Sequence, residues 1–238
     1  MRDLVLVLAL AACGSSSGTP AGGDGALAID APAVPAMLVL SGTTSEISAS
    51  GQTPTAGVVI TAYNAADDSV LGTATSAGAT ATFSISVATH GQPIDGYLKA
   101  VTPGAFKQTF LYPPFSLTKD YANVPVFVMK SSTYDLINGV LGNNQKTTQG
   151  WIALLALDAA QTAVAGATAS STPSGQIAYN SGGVPSTSAT STAADGIAYD
   201  TAVATGQVTV AAAKAGTTFH AHAIQVRADV VTLTIVSE

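Results

Sequence analysis

The one thiol in this chain, Cys13, stands at the end of an apolar run from Leu4 to Ala12 and directly after Leu10 and the small residues Ala11 and Ala12. A thiol is a nucleophile, and one so placed follows a segment apolar enough to seek a bilayer. His220-Ala221-His222 is a second set: within a strand, residues two apart share a face, so both imidazoles would form half of a metal clip. His90, the remaining histidine, lies in the other half of the chain, so His220 and His222 are read as strand-surface residues and no metal is expected. Asp67-Asp68, Asp95, Asp195 and Asp200 offer oxygens but sit in turn-like stretches without the dense spacing of a calcium loop. Ser116-Leu117-Thr118-Lys119 has the Ser-x-x-Lys spacing of an acyl-transfer nucleophile but no companion motifs or helical setting. No catalytic residue and no cofactor is assigned, and the chain is read as a non-enzyme.

Aromatic side chains make up 6 % of the sequence, and Phe106, Phe110, Tyr112, Pro113, Pro114 and Phe115 concentrate several of them. Rings beside a rigid Pro-Pro pair can form a platform for a sugar ring or a partner protein, and Phe106, Tyr112 and Phe115 are the candidate binding surface. The competing expectation is that these rings fill a core while the prolines close an edge strand. Trp151 opens the apolar stretch Trp151 to Leu157 and is expected inside.

Leu-Ala-Ala-Cys resembles the lipobox of bacterial lipoproteins, which implies cleavage before Cys13 and acylation of its thiol and new amine. The apolar run is about half the length needed to span a bilayer, so residues 1–12 read as a signal peptide. Two or three acyl chains make an anchor effectively permanent, because each buried methylene contributes about 0.8 kcal/mol. Gly14 is not the aspartate that the resemblance associates with inner-membrane retention, which implies an outer-membrane location. Residues 13–35 are rich in Gly, Ser, Ala and Pro and read as a flexible tether. Gly14-Ser15-Ser16-Ser17-Gly18 has the Gly-x-Ser-x-Gly form, but a nucleophile elbow needs a strand before it and a helix after it.

Beyond the tether, Ala, Gly, Ser and Thr dominate and only 9 % of residues are charged. Eight basic residues face fourteen acidic ones with no basic run, which disfavours nucleic-acid binding. With a single cysteine, disulfides within the chain are excluded. Val58, Ile60 and Ala62 alternate with Val59, Thr61 and Tyr63; Phe83, Ile85 and Val87 alternate with serines; Val231, Leu233 and Ile235 alternate with threonines. Such period-2 segments recur between Gly, Asp or Pro, without a sustained 3.6-residue period, and predict an all-β sandwich.

The halves echo each other. Pro54-Thr55-Ala56-Gly57-Val58-Val59 answers Ala163-Val164-Ala165-Gly166-Ala167-Thr168. Thr73 to Gly78 before Phe83 answers Thr190 to Gly196 before Ile197, and Gly96 to Gly104 and Phe106 answers Gly206 to Gly216 and Phe219. The shared order predicts an internal duplication, with residues 172–186 inserted in the second copy. These motifs resemble the carboxypeptidase regulatory-like domain, which implies two tandem seven-stranded antiparallel sandwiches of the transthyretin-like kind, a non-catalytic accessory role and no active-site residues to carry over. The expected domains are 36–132 and 133–238, joined at a short polar break near Ser131-Ser132-Thr133 and stacked end to end. The functional expectation is an envelope lipoprotein held by lipid on Cys13 that acts as a protein-binding, adhesion or scaffolding module. A carbohydrate-binding surface protein is the alternative, and an accessory subunit of a hydrolase a more distant one.

Overall fold

The computed structural model describes residues 33–48, 51–143 and 145–238. Cys13, the signal segment and most of the tether lie outside the described residues. The first half contributes β1 (Met37–Ser48), β2 (Gly51–Pro54), β3 (Val59–Asn64), β4 (Val70–Thr75), β5 (Thr82–Ala88), β6 (Gly96–Val101), β7 (Phe106–Lys107), β8 (Thr109–Tyr112) and β9 (Tyr121–Lys130). A helix, α1 (Ser131–Val140), follows. The second half contributes β10 (Gln149–Leu157), β11 (Thr168–Thr172), β12 (Gln176–Ser181), β13 (Val184–Ser186), β14 (Ile197–Ala204), β15 (Gly206–Ala213), β16 (His222–Val226) and β17 (Val231–Ser237). Among the described residues the fold is all-β apart from α1. That helix is not long and apolar enough to cross a membrane, and this says nothing of strands.

Alternation produces the sandwich directly. In β5, Phe83, Ile85 and Val87 are buried while Thr82, Ser84, Ser86 and Ala88 are exposed. They meet Leu38, Leu40, Ile60, Leu98, Val126 and Val128 in the first core. Leu38, Ile60, Ile85 and Val87 are each at most 2 % exposed, and burying each such side chain contributes about 1.5–3 kcal/mol.

The duplication is visible in the topology. In the first half β1 pairs antiparallel with β5 and parallel with β9; in the second β10 pairs antiparallel with β14 and parallel with β17. The order β3-β6-β8 in one half corresponds to β11-β15-β16 in the other. A hydrogen-bonded staple repeats with it. Ser76 accepts from the Gly57 N–H on its carbonyl (2.8 Å) and from the Val58 N–H on its hydroxyl (3.1 Å). Thr192 does the same for Gly166 (2.8 Å) and Ala167 (2.9 Å). Gly57 and Gly166 both have positive φ, +81° and +76°, a backbone state that a side chain would strain. The inserted stretch forms the β12–β13 hairpin, and β12 pairs with β14. The edge of β11 is capped instead, its Ala169 N–H donating to the Tyr179 hydroxyl at 3.0 Å.

The fold departs from the sequence reading in strand number and direction, in how the halves join, and at the link between them. Short edge strands bring each half above seven strands, and the first and last strands of each half run parallel. The halves also do not stack end to end: β17 pairs in parallel with β8, Val231 opposite Thr109 and Thr234 opposite Tyr112, so one nine-stranded sheet runs through both. At the expected polar break, the 131–140 stretch is helical because Tyr134, Asn138 and Leu141, spaced at i, i+4 and i+7, bury one face. That face is too short to register as a period in the sequence.

Candidate functional site at the seam between the halves

Sheet continuity has a consequence for the aromatic residues of β6 and β8. Leu98 and Ala100 point into the first core, so Tyr97, Phe110 and Tyr112 occupy the opposite face, which is outward for the first half alone. Because β17 continues that sheet, the same face is the inner face of the second half, and all three rings join a core with Ile152, Leu154, Val226 and Val236. Tyr112 is 5 % exposed. It therefore offers no ring face to a ligand, which corrects its expected place on an exposed platform.

Arg227, from the β16–β17 connection, closes this face. Its guanidinium carbon lies 4.8 Å from the Tyr97 ring centre and 4.4 Å from that of Phe110. Nη1 donates to the Tyr112 hydroxyl at 2.7 Å, and Nη2 donates to the Tyr97 hydroxyl at 2.9 Å and to Asp68 Oδ1 at 3.3 Å. The Tyr97 hydroxyl donates to the same carboxylate oxygen at 2.6 Å. Tyr63 stacks on Tyr97 at 5.2 Å and 14°, and Tyr97 on Tyr112 at 5.0 Å and 28°. Burial raises the Tyr97 and Tyr112 pKa values above the usual phenol range, and the Asp68 hydrogen bond adds to the rise at Tyr97. At Arg227 burial works against the charge, yet its bonds to Tyr112 and its proximity to Tyr97 and Asp68 outweigh it, and the pKa rises. Arg227 stays charged and both tyrosines stay protonated, so the cluster is a clasp rather than an acid–base site.

The opposite flank of the seam carries a second cross-link. Lys107 pairs with Asp229 at 2.5 Å, and its ammonium sits 4.8 Å from the Tyr134 ring centre. Beneath it Met129, Tyr134, Trp151 and Val231 form a small core. Trp151 is buried, as its sequence setting implies, stacked on Tyr199 at 5.4 Å and edge-on to Tyr134 at 5.6 Å.

The remaining candidates fall in separate environments. Phe106 is half-buried in β7, paired to β9 and covered by the Lys130 ammonium at 5.6 Å. Phe115 is 51 % exposed and meets the His220 ring at 5.8 Å and 68°. His220 and His222 do not share a strand face: β16 begins only at His222, so the period-2 rule does not reach His220. The His222 Nε2 instead meets Thr234 Oγ1 at 2.7 Å. Among the described residues no three His, Cys, Asp or Glu side chains are grouped to hold a metal. Ser116 donates to the Asp95 carboxylate from irregular chain. Arg227 and Tyr97 were not singled out in the sequence. The available signal was that Arg227 is one of only two arginines in an aromatic-poor chain.

His222 yields a pH prediction. Burial lowers its pKa below the ordinary 6.5, so the unfolded chain binds a proton more readily than the folded one. Its contribution to stability is complete above that ordinary value and is lost as pH falls toward the folded-state value. Urea midpoints at pH 7.5 and 5.5 should show a smaller acid-induced drop in His222→Gln than in the natural chain; an identical drop would remove His222 as the cause.

No protein-family model matches the chain, and no curated protein matches it. Among solved structures the chain has only distant likenesses. The Bacillus anthracis TIE protein is 12 % identical with TM-score 0.26, over 84 % of this chain and 34 % of that one. The shaft pilin SpaA from Lactobacillus rhamnosus GG is 14 % identical with TM-score 0.28, over 84 % of this chain and 97 % of that one. GBS52, the minor pilin of Streptococcus agalactiae, is 12 % identical with TM-score 0.27, over 84 % and 96 %.

Proposed function

We propose that this chain is a non-enzymatic adhesion or scaffolding module of the cell envelope, held to the outer membrane by lipid on Cys13 and presenting two carboxypeptidase regulatory-like sandwiches as one stiff unit. The observation that carries this reading is the seam. A parallel β8–β17 ladder, a cation held between aromatic rings and the Lys107–Asp229 pair join the halves where a presenter of separate modules would need only a linker. At the rim of that seam the exposed Phe115 and His220 come from different halves, so a partner that reads both recognises the assembled joint. A protein partner suits this surface better than a sugar, because the indole most suited to stack on a sugar, Trp151, is buried.

The test is capture from envelope fractions and on glycan arrays by the full chain, beside a Phe115→Ala/His220→Ala variant. Both side chains are exposed, so the variant should melt like the parent. Loss of protein capture in the variant is the expected result. Capture that survives it, or capture of glycans alone, would overturn the protein-binding reading. In cells, Cys13→Ser should abolish labelling by a fatty-acid analogue and release the chain from membranes.

A further inference from the structure

Asp200 is the sole Asp, Glu, Lys or Arg in the strands from β10 to β17. It is 6 % exposed and points into the second sandwich. The duplication shows that the fold does not require a carboxylate there. In the first half Leu38 pairs with Val87 and Leu40 with Ile85; in the second Ile152 pairs with Asp200 and Leu154 with Ala198. Leu38 and Leu40 lie in one core, Ile152 and Leu154 in the other, so Asp200 stands where the first copy has the fully buried Val87. A carboxyl buried where an aliphatic side chain suffices lowers stability unless it is neutral or well bonded.

The strand is irregular at this point. A bulge falls between the Gly150 and Ile152 pairings, and Ala202 takes a positive φ of 59°, a backbone state that strains a side chain. Residues 172–175 cross over it as the exposed link from β11, in the three-stranded sheet, to β12, in the nine-stranded one. Gly175 lies so close to β14 that a Cβ there would stand 1.9 Å from the Thr201 carbonyl oxygen. The Ser171 hydroxyl donates to Oδ2 of Asp200, the Gly175 N–H donates to Oδ1 at 2.9 Å, and the Thr201 hydroxyl donates to the Gln176 carbonyl at 3.2 Å. A cavity of about 10 Å³ adjoins the carboxylate, walled by Ile152, Leu154, Ile177 and Val210, with room for no more than about one water. The surrounding strands β10, β11, β12 and β15 carry no charged residue. Their titratable side chain is Tyr179, whose hydroxyl accepts from the Ala169 N–H, and on β14 itself Tyr199 is stacked on Trp151.

We propose that residues 172–175 form a latch that Asp200 holds shut while protonated and releases on ionising. A neutral carboxyl keeps both bonds, accepting from Gly175 and donating its proton to the Ser171 oxygen. Loss of that proton leaves a buried charge with no cation on the elements around it. Lifting the link hydrates the charge and sacrifices little packing, since residues 172–175 are already exposed. Burial accordingly holds the closed carboxyl above the ordinary carboxylate range, against the opposing pull of the Ser171 and Gly175 bonds. The closed latch is therefore at full strength below the ordinary range and weakens as pH rises through the raised value, by up to about tenfold for each pH unit separating the two. Opening uncovers this flank of the second core.

The test is backbone amide exchange in the full chain in detergent, followed by NMR from about pH 4 to 7 and corrected for the intrinsic pH dependence. Protection of the Gly175 amide should fall with rising pH. The Ala156 amide, which donates to the Gly196 carbonyl at 2.9 Å, should not follow it. Asp200→Asn keeps both bonds and cannot ionise, so Gly175 should stay protected throughout. Ser171→Ala removes a bond that favours the charged form and should move the fall to higher pH; this variant carries the test if Asp200→Asn does not fold. Gly175 protection that ignores pH, a fall shared by Ala156, or a fall that persists in Asp200→Asn would overturn the proposal. None of these outcomes bears on capture through Phe115 and His220, so the two readings fail separately.

Discussion

Replacing Arg227 with alanine should lower the unfolding free energy by about 2–4 kcal/mol, measured as a shift in urea midpoint. The size follows from what the guanidinium does at once. It lies against the faces of Tyr97 and Phe110 and donates to the Tyr97 and Tyr112 hydroxyls, which burial keeps from water as compensation. The ion pair with Asp68 adds little, because that side chain is 63 % exposed. Arg227→Lys should not restore the loss, since one ammonium cannot present a planar fork to two hydroxyls and stack on two rings. A double-mutant cycle with Tyr112→Phe should give a coupling of about 1 kcal/mol or more. Additive effects, or an unchanged midpoint for Arg227→Ala, would mean that the halves are held by the β8–β17 ladder and the Lys107–Asp229 flank without Arg227.

Trp151→Ala should be the most damaging single change, at about 3–5 kcal/mol, or roughly 2–4 °C in melting temperature for each kcal/mol in a chain of this size. Trp151 is 1 % exposed and supports the underside of the same junction, touching Tyr199 from β14 and Tyr134 from α1. Truncation leaves a cavity between three elements whose backbones are tied into sheet or helix and cannot collapse to fill it. Trp151→Phe should cost much less. It keeps a stacking ring and removes an indole N–H that has no hydrogen-bond partner among the described residues. Equal losses for the two variants would show that packing of the part of the indole that a phenyl ring does not replace sets the energy at this site, and would overturn this expectation.

Much of the fold was legible because period-2 alternation is a local property. The burial pattern of β5 repeats its sequence of hydrophobic and hydroxyl side chains residue by residue. The duplication was legible for a similar reason: Gly57 and Gly166 occupy a backbone state that a side chain would strain, and Ser76 and Thr192 carry the hydroxyls that pin them. The insertion at 172–186 was read as such and forms a hairpin of its own. Helix α1 was missed, since ten residues at a junction bury too narrow a face to stand out from irregular chain.

The candidate site was far less legible. Alternation states that Tyr97, Phe110 and Tyr112 share one side of their strands; it is silent on whether that side faces water or a second domain. The deciding contact is β17 against β8, between residues some 120 positions apart, as Thr234 and Tyr112 are. It turns a surface of the first half into a core of the second. The same contact buries Tyr112, leaves Phe115 at the rim and brings Arg227 to rings from the other half of the chain.

By itself, then, the sequence determined the strand alternation, the repeat and the turns, all of which depend on neighbours within a few residues. Only the tertiary structure decided which faces became cores and which rings Arg227 met. Those outcomes depend on which sheet edges meet, and edge pairing is made by backbone hydrogen bonds that any sequence can form.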